Sequence, residues 1–187
     1  MYKQEPINKY IDDLAAKLPA PGGGSAAALN ASMGAALISM VVNFTLGKPK
    51  YAEYEKELKD ILGKSENLKG EFLRLMDLDV IAYQSKNMRD ALNVPFMLTR
   101  LCCEGLKLCP PLLKKGNKNL ISDVAVAAIM LESAYACAYF NVIINLKTIA
   151  DKKLTQVVEK ELKQKDKMVK KIRKDVEDKV GKIINAR

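Results

Sequence analysis

The sequence predicts an all-α protein: a single helical-bundle domain over residues 1–187, with two buried central helices wrapped by amphipathic ones. Three observations predict it. Apolar residues recur at three- and four-residue spacing along most of the chain, and no stretch alternates as a strand does. Two long segments are almost free of charge: Leu18 to Gly47 carries none, and Ile121 to Leu146 carries only Asp123 and Glu132. The chain has 187 residues, 49% of them apolar, which suffices for one well-filled core and not for two.

Taken in order, Ile7, Tyr10, Ile11, Leu14 and Leu18 share one face of a first helix, which "PAPGGG" ends. Ser25 is the expected N-cap of a second helix running to about Leu46, with Gly47 to Pro49 closing it. Its length raises a membrane-spanning reading. Asn30, Ser32, Ser39, Asn43 and Thr45 and the many small residues instead place it at the centre of a bundle. Ala27, Ala31 and Ala35 form a strip without bulk, against which another helix is expected to lie closely, and the third helix could fill that role within one chain. A third helix from about Tyr51 carries the stripe Tyr51, Tyr54, Leu58, Ile61, Ser65, Leu68, Phe72, Leu75, Asp79, Ala82 at heptad spacing. Asp79 is the charged member of that seam, while Asp77 points elsewhere. "NVP" (Asn93 to Pro95) is expected to start a fourth helix, which Cys109-Pro110-Pro111 kinks or ends. A fifth helix, capped by Asn119 or Ser122, runs to Leu146. The last, from about Leu154, has Val158, Leu162, Met168, Ile172, Val176, Val180 and Ile183 on one face. The second and fifth helices are the expected core pair.

Composition narrows the chemistry. There is no histidine, so no imidazole base or ligand is available. Cys102, Cys103, Cys109 and Cys137 show no CxxC spacing, so no metal site is expected, and they read as buried thiols. The N-terminus has no apolar signal core, so a cytoplasmic location is expected. The net charge is +9, and thirteen basic against seven acidic residues from Asp151 onward hold most of it. Such an excess suits a polyanionic partner. No aromatic residue occurs in that tail, so base stacking is unsupported. A solvated lysine face is expected there, with neither nucleic acid nor membrane as partner.

Four places could carry chemistry. The glycine-rich turn at Gly22, Gly23 and Gly24, leading into Ser25, leaves helix amides open at the positive end of a dipole. It also leaves bare backbone for a flat ligand, and Gly23 is expected at positive φ. A tight interhelical connector is the plainer reading. Asp79, on an apolar seam, must pair with a lysine or hold a proton. The second case raises its pKa toward that of a general acid/base. "GNKNLISD" gathers Asn117, Ser122 and Asp123 at a helix start, where capping explains Ser122 but not Asp123. "NVIIN" sets Asn141 and Asn145 four apart on one face, and buried amides need partners.

"PAPGGGSAAA" (Pro19 to Ala28), "MGAALISMV" with "TLGK" (Met33 to Lys48), "DVIAY" (Asp79 to Tyr83), and "GNKNLISD" followed by "AYFNVIINL" (Gly116 to Leu146) together resemble the cyclodeaminase/cyclohydrolase family of folate one-carbon enzymes. This is the family of the C-terminal half of formimidoyltransferase-cyclodeaminase and of stand-alone methenyltetrahydrofolate cyclohydrolases. The resemblance implies an all-helical homodimer whose core helices meet at the Ala27, Ala31, Ala35 strip, with a folate pocket at the subunit interface. It implies Asp79 as catalytic residue, and Pro21, Gly22, Gly23, Gly24, Ser25, Lys48, Asn117, Ser122, Asp123, Asn141 and Asn145 at the substrate. No cofactor is implied beyond the tetrahydrofolate substrate, whose anionic, sometimes polyglutamylated tail suits the positive charge. Family members usually carry a longer excursion between "DVIAY" and "VPFML", where this chain has only Gln84 to Asn93. The expected activity is formimidoyltetrahydrofolate cyclodeaminase. The alternatives are methenyltetrahydrofolate cyclohydrolase and a non-catalytic folate-binding or scaffold relative. A weaker rival is a nucleic-acid or membrane-surface binder using the basic tail.

Overall fold

The computed structural model describes residues 1–186. Seven α-helices account for nearly all of it: α1 Ile7–Ala15, α2 Gly23–Asn43, α3 Glu55–Ser85, α4 Met88–Lys107, α5 Cys109–Lys115, α6 Ile121–Leu146 and α7 Lys152–Asn185. Short 3₁₀ turns at Tyr2–Gln4, Pro49–Tyr54 and Lys118–Leu120 join them, and there is no strand among the described residues. Helices α2, α3, α4 and α6 form the bundle, each packed on two neighbours, while α7 lies across α6 and α4. The charge-poor pair α2 and α6 are, among the described residues, the two helices long and apolar enough to cross a membrane. Here they pack on each other within the bundle.

The α2/α3 seam shows why α2 is built of small residues. Ser25, Ala28, Ser32, Ala35 and Ser39 recur at three- and four-residue spacing, and all are buried. The Ser25 hydroxyl donates to the Met76 carbonyl at 3.0 Å and that of Ser32 to the Lys69 carbonyl at 3.1 Å. Ser39 and Ser65 share a 2.8 Å bond. Bare positions let the backbones approach, and each buried hydroxyl finds an acceptor across the seam. The partners descend along α3 as α2 ascends, so the two helices are antiparallel. On the other side, Leu131 of α6 fills the hollow between Gly34 of α2 and Gly105 of α4: a methyl at either glycine would stand 3.0–3.1 Å from it. Ala27, Ala31 and Ala35 lie at 0–3% exposure inside the protomer. This corrects the expectation that the strip receives a second chain.

Other expectations change as well. In α1 only Tyr10 is buried, while Ile7 and Ile11 are exposed, because the short peripheral helix touches the bundle along one ridge; Leu18, beyond its end, is exposed too. Ser25 is not an N-cap: Gly22 holds that place and Ser25 sits in the first turn. α4 starts at Met88, capped by the Asn87 side chain, which accepts from the amides of Arg89 and Asp90. Pro95 therefore lies inside α4. A proline lacks the amide that would bond the carbonyl four residues back. That carbonyl, of Ala91, accepts instead from the Asn145 amide at 2.6 Å. Asn145→Ala should leave Ala91 unpaired and cost about 1–3 kcal/mol, measured by urea unfolding. α6 begins at Ile121 with Leu120 as cap residue, rather than with Asn119 or Ser122 as cap. Cys137 is exposed, unlike the other three cysteines. Asp77 is 4% exposed because the N-terminal 3₁₀ turn folds over it and the Lys3 amide donates to it.

Candidate active site

At the end of the bundle where α2 begins and α3 finishes lies a cleft of about 290 Å³. Its lining comes from the turn (Pro19, Ala20, Gly22, Gly23, Gly24), α3 (Asp79, Ala82, Tyr83), α4 (Ala91) and α6 (Asn141, Ile144, Asn145). The structure thus brings the glycine turn, the seam carboxylate and the paired asparagines to one place, although 54 residues separate Ser25 from Asp79.

Asp79 points at the N-terminus of α2. Its Oδ2 accepts from the Ser25 amide at 2.8 Å. A first-turn amide has no acceptor within its own helix, so the carboxylate caps α2 from another element, at the positive end of the dipole. Burial pushes the Asp79 carboxyl above its ordinary range, and the Ser25 amide partly offsets this. Among the described residues no salt bridge to it is seen, and burial rather than a neighbouring cation dominates its titration, which disfavours the salt-bridge reading. Ser25 is held in turn by Tyr10, whose hydroxyl donates to Ser25 Oγ at 3.1 Å from a 2% exposed ring. The sequence marks Tyr10 only as an apolar-face residue, so its polar role was hidden.

The three glycines are not equivalent. None has positive φ; Gly47 is the glycine that does, which corrects the expectation for Gly23. A methyl at Gly24 would fall 2.1 Å from Asp79 Oδ1, one at Gly23 would stand 3.8 Å from Asn141 Nδ2, and one at Gly22 would meet nothing. Gly24 is bare so that the carboxylate can reach the helix end. Gly22 and Gly23 leave open floor. Asn141 donates to the Cys137 carbonyl at 3.0 Å, and Asn145 donates to Ala91. Both side-chain carbonyls are left as acceptors on the α6 wall. The cleft therefore offers amide donors, amide acceptors and a carboxyl whose pKa is raised by burial.

Lys48, Asn117, Ser122 and Asp123 are not in this cleft. They lie at the other end of α2, roughly 30 Å away along a 21-residue helix. Asn117 is buried and pins that end: its amide nitrogen Nδ2 donates to the Phe44 carbonyl, its backbone amide to Thr45 Oγ1, and its Oδ1 caps Asn119. Asp123 stands in the first turn of α6, where a carboxylate complements the dipole. A larger groove between α6 and α7, about 520 Å³, is rimmed by Glu159, Lys163, Asp166 and Lys170, all set for solvent. No cluster of three metal-ligating side chains occurs among the described residues.

The model of the formiminotransferase-cyclodeaminase family matches residues 6–86 and 84–164. The chain belongs to this family. The two matched pieces meet at the α3–α4 corner, where α3 and α4 abut through Lys86, at φ 54°, and Asn87. Among family relatives, a methenyltetrahydrofolate cyclohydrolase from Methylorubrum extorquens is 36% identical over 87% of this chain and 89% of its own length. The formimidoyltransferase-cyclodeaminase of Rattus norvegicus is 29% identical over 78% of this chain, which spans 31% of that longer protein. The crystal structure of formiminotetrahydrofolate cyclodeaminase from Thermotoga maritima superposes with a TM-score of 0.94 at 26% identity. The superposition covers 98% of this chain and 100% of that one.

Proposed function

We propose that the chain is an enzyme acting on the N5–C–N10 one-carbon bridge of tetrahydrofolate, and that it hydrolyses the methenyl form to 10-formyltetrahydrofolate. The observation that carries the reading is Asp79: a carboxyl with a raised pKa, without a salt bridge among the described residues, held at the glycine turn in the cleft. Water adds to the cationic methenyl carbon and gives its proton to Asp79. The tetrahedral carbon then reopens: the C–N5 bond breaks, N5 takes the proton from Asp79, and the hydroxyl proton leaves to solvent as the formyl group forms on N10. The open turn amides and the side-chain carbonyls of Asn141 and Asn145 orient the pterin ring. No step needs a metal or a covalent nucleophile.

The stand-alone relative that matches along nearly all its length is a cyclohydrolase, which favours the hydrolytic direction. The structural likeness to a cyclodeaminase favours a second reading, in which N10 attacks the formimidoyl carbon, a tetrahedral aminal forms and ammonia leaves. Incubation with 5,10-methenyltetrahydrofolate and with 5-formimidoyltetrahydrofolate, following the methenyl absorbance and free ammonia, separates them. Loss of the band without ammonia is expected. A band that appears together with ammonia gives the cyclodeaminase. No change with either substrate overturns both and leaves a binding relative.

The enzyme is proposed to work in the cytoplasm as a homodimer. Outer residues of α2 (Ala26, Met33, Met40, Phe44) and of α6 (Val126, Ile129, Phe140, Ile144) form two adjoining apolar stripes, and Ile144 also lines the cleft. Met33, Phe44, Val126, Ile129, Phe140 and Ile144 are all more than 40% exposed. A two-fold axis across α2 would bring a second copy's far end, with its Lys48, Asn117 and Asp123, over this cleft. Ile129→Lys should then give monomers by sedimentation and lower activity; an unchanged sedimentation coefficient for variant and wild type would remove the dimer.

A further inference from the structure

We propose that Tyr83 selects for a flat ring system in this cleft, laying its phenol ring over the face of the substrate's pterin; this rests on the folate reading above. Tyr83 is the aromatic residue among the side chains that line the cleft. Most of the other lining positions carry little bulk: Pro19, Ala20, the three glycines, Ala82 and Ala91. The wall therefore has few surfaces broad enough to cover a ring. Tyr83 lies four residues after Asp79 in α3, so the two project from the same helical face and the ring stands beside the carboxyl.

The ring is 61% exposed, although it stands on a helix whose other large aromatic, Phe72, is fully buried. Its hydroxyl makes no hydrogen bond to the described residues, so the side chain is not kept in place for the fold. The backbone beneath it is fixed. α3 ends two residues later at the Lys86 corner, and α4 begins at once under the Asn87 cap. An exposed aromatic face lining the same cleft as bare glycine backbone suits a planar ligand. Stacking of a ring on an aromatic side chain is tolerant of the ring's hydrogen-bonding pattern but sensitive to loss of the aromatic plane.

The test is calorimetric titration of tetrahydrofolate into wild type, Tyr83→Phe and Tyr83→Ala, with steady-state rates on methenyltetrahydrofolate for the same three proteins. Tyr83→Phe is expected to bind as wild type does. Tyr83→Ala is expected to keep its helical circular dichroism, to bind on the order of 10-fold more weakly or worse, and to raise KM by a similar factor with kcat little changed. Wild-type affinity in Tyr83→Ala overturns the inference while leaving the folate reading standing. Equal weakening in Tyr83→Phe assigns the effect to the hydroxyl and also overturns it, as does a loss of kcat at unchanged KM. Wild type that fails to bind tetrahydrofolate removes the folate reading and this inference together.

Discussion

Asp79→Asn is expected to lose turnover by about 100-fold or more while keeping the fold. The amide has the shape of the carboxylate, and its oxygen can still accept the Ser25 amide bond. What it lacks is a transferable proton. The substitution also has a signature in stability. Burial raises the pKa of Asp79 in the folded state above its unfolded value. The folded protein thus holds that proton more tightly, and its contribution is fully present below the unfolded pKa. It is lost as pH rises through the folded pKa. Thermal unfolding of wild type should therefore show a decline in stability above the ordinary carboxylate range that is absent from Asp79→Asn. At neutral pH the variant should be at least as stable as wild type. A variant with normal turnover would dismiss Asp79 as the proton carrier.

The second large effect is expected from a single methyl. In Gly24→Ala the new carbon would fall 2.1 Å from Asp79 Oδ1 and 2.7 Å from Cγ, so the carboxylate must swing off the α2 terminus. The hydrogen bond to Ser25 goes with it, at a net cost of about 1 kcal/mol. Alanine in place of glycine within a helix returns roughly 0.5–1 kcal/mol, so global stability should change little. Activity should fall toward that of Asp79→Asn, because the carboxyl no longer stands where the turn amides orient the substrate. The comparison of kcat with the urea midpoint for the same protein checks this. Full activity in Gly24→Ala would mean that the carboxylate does not work from the position at the helix end.

The core pair was readable because near-absence of charge over 26 to 30 residues admits few interpretations in a chain this short. Asp79 was readable for a similar reason: a carboxylate in an otherwise apolar heptad stripe is conspicuous, and its seam is the one that packs on α2. The residues that escaped did so because their roles are long-range. Pro95 has the local look of a helix start; only Asn145, fifty residues on, makes it tolerable inside α4. Asn117 reads as a ligand-binding amide, and its tie between the far end of α2 and the loop before α6 could not be read from local sequence. Asp77 is covered by a 3₁₀ turn that the periodicity of α3 cannot anticipate. The glycine turn was noticed for the right bareness and the wrong dihedral: Gly24 is needed for a close approach, and none of the three glycines is needed for positive φ.

The most direct test of the account is the pH dependence of kcat/KM for methenyltetrahydrofolate hydrolysis, measured on wild type and Asp79→Asn side by side. This profile reports the ionisations of the free enzyme that matter to the rate. The account predicts that the wild-type rate rises through one ionisation lying above the ordinary carboxylate range, as Asp79 gives up its proton, and that the residual rate of Asp79→Asn lacks that limb. The same limb persisting in Asp79→Asn would place the proton-transfer group elsewhere in the molecule.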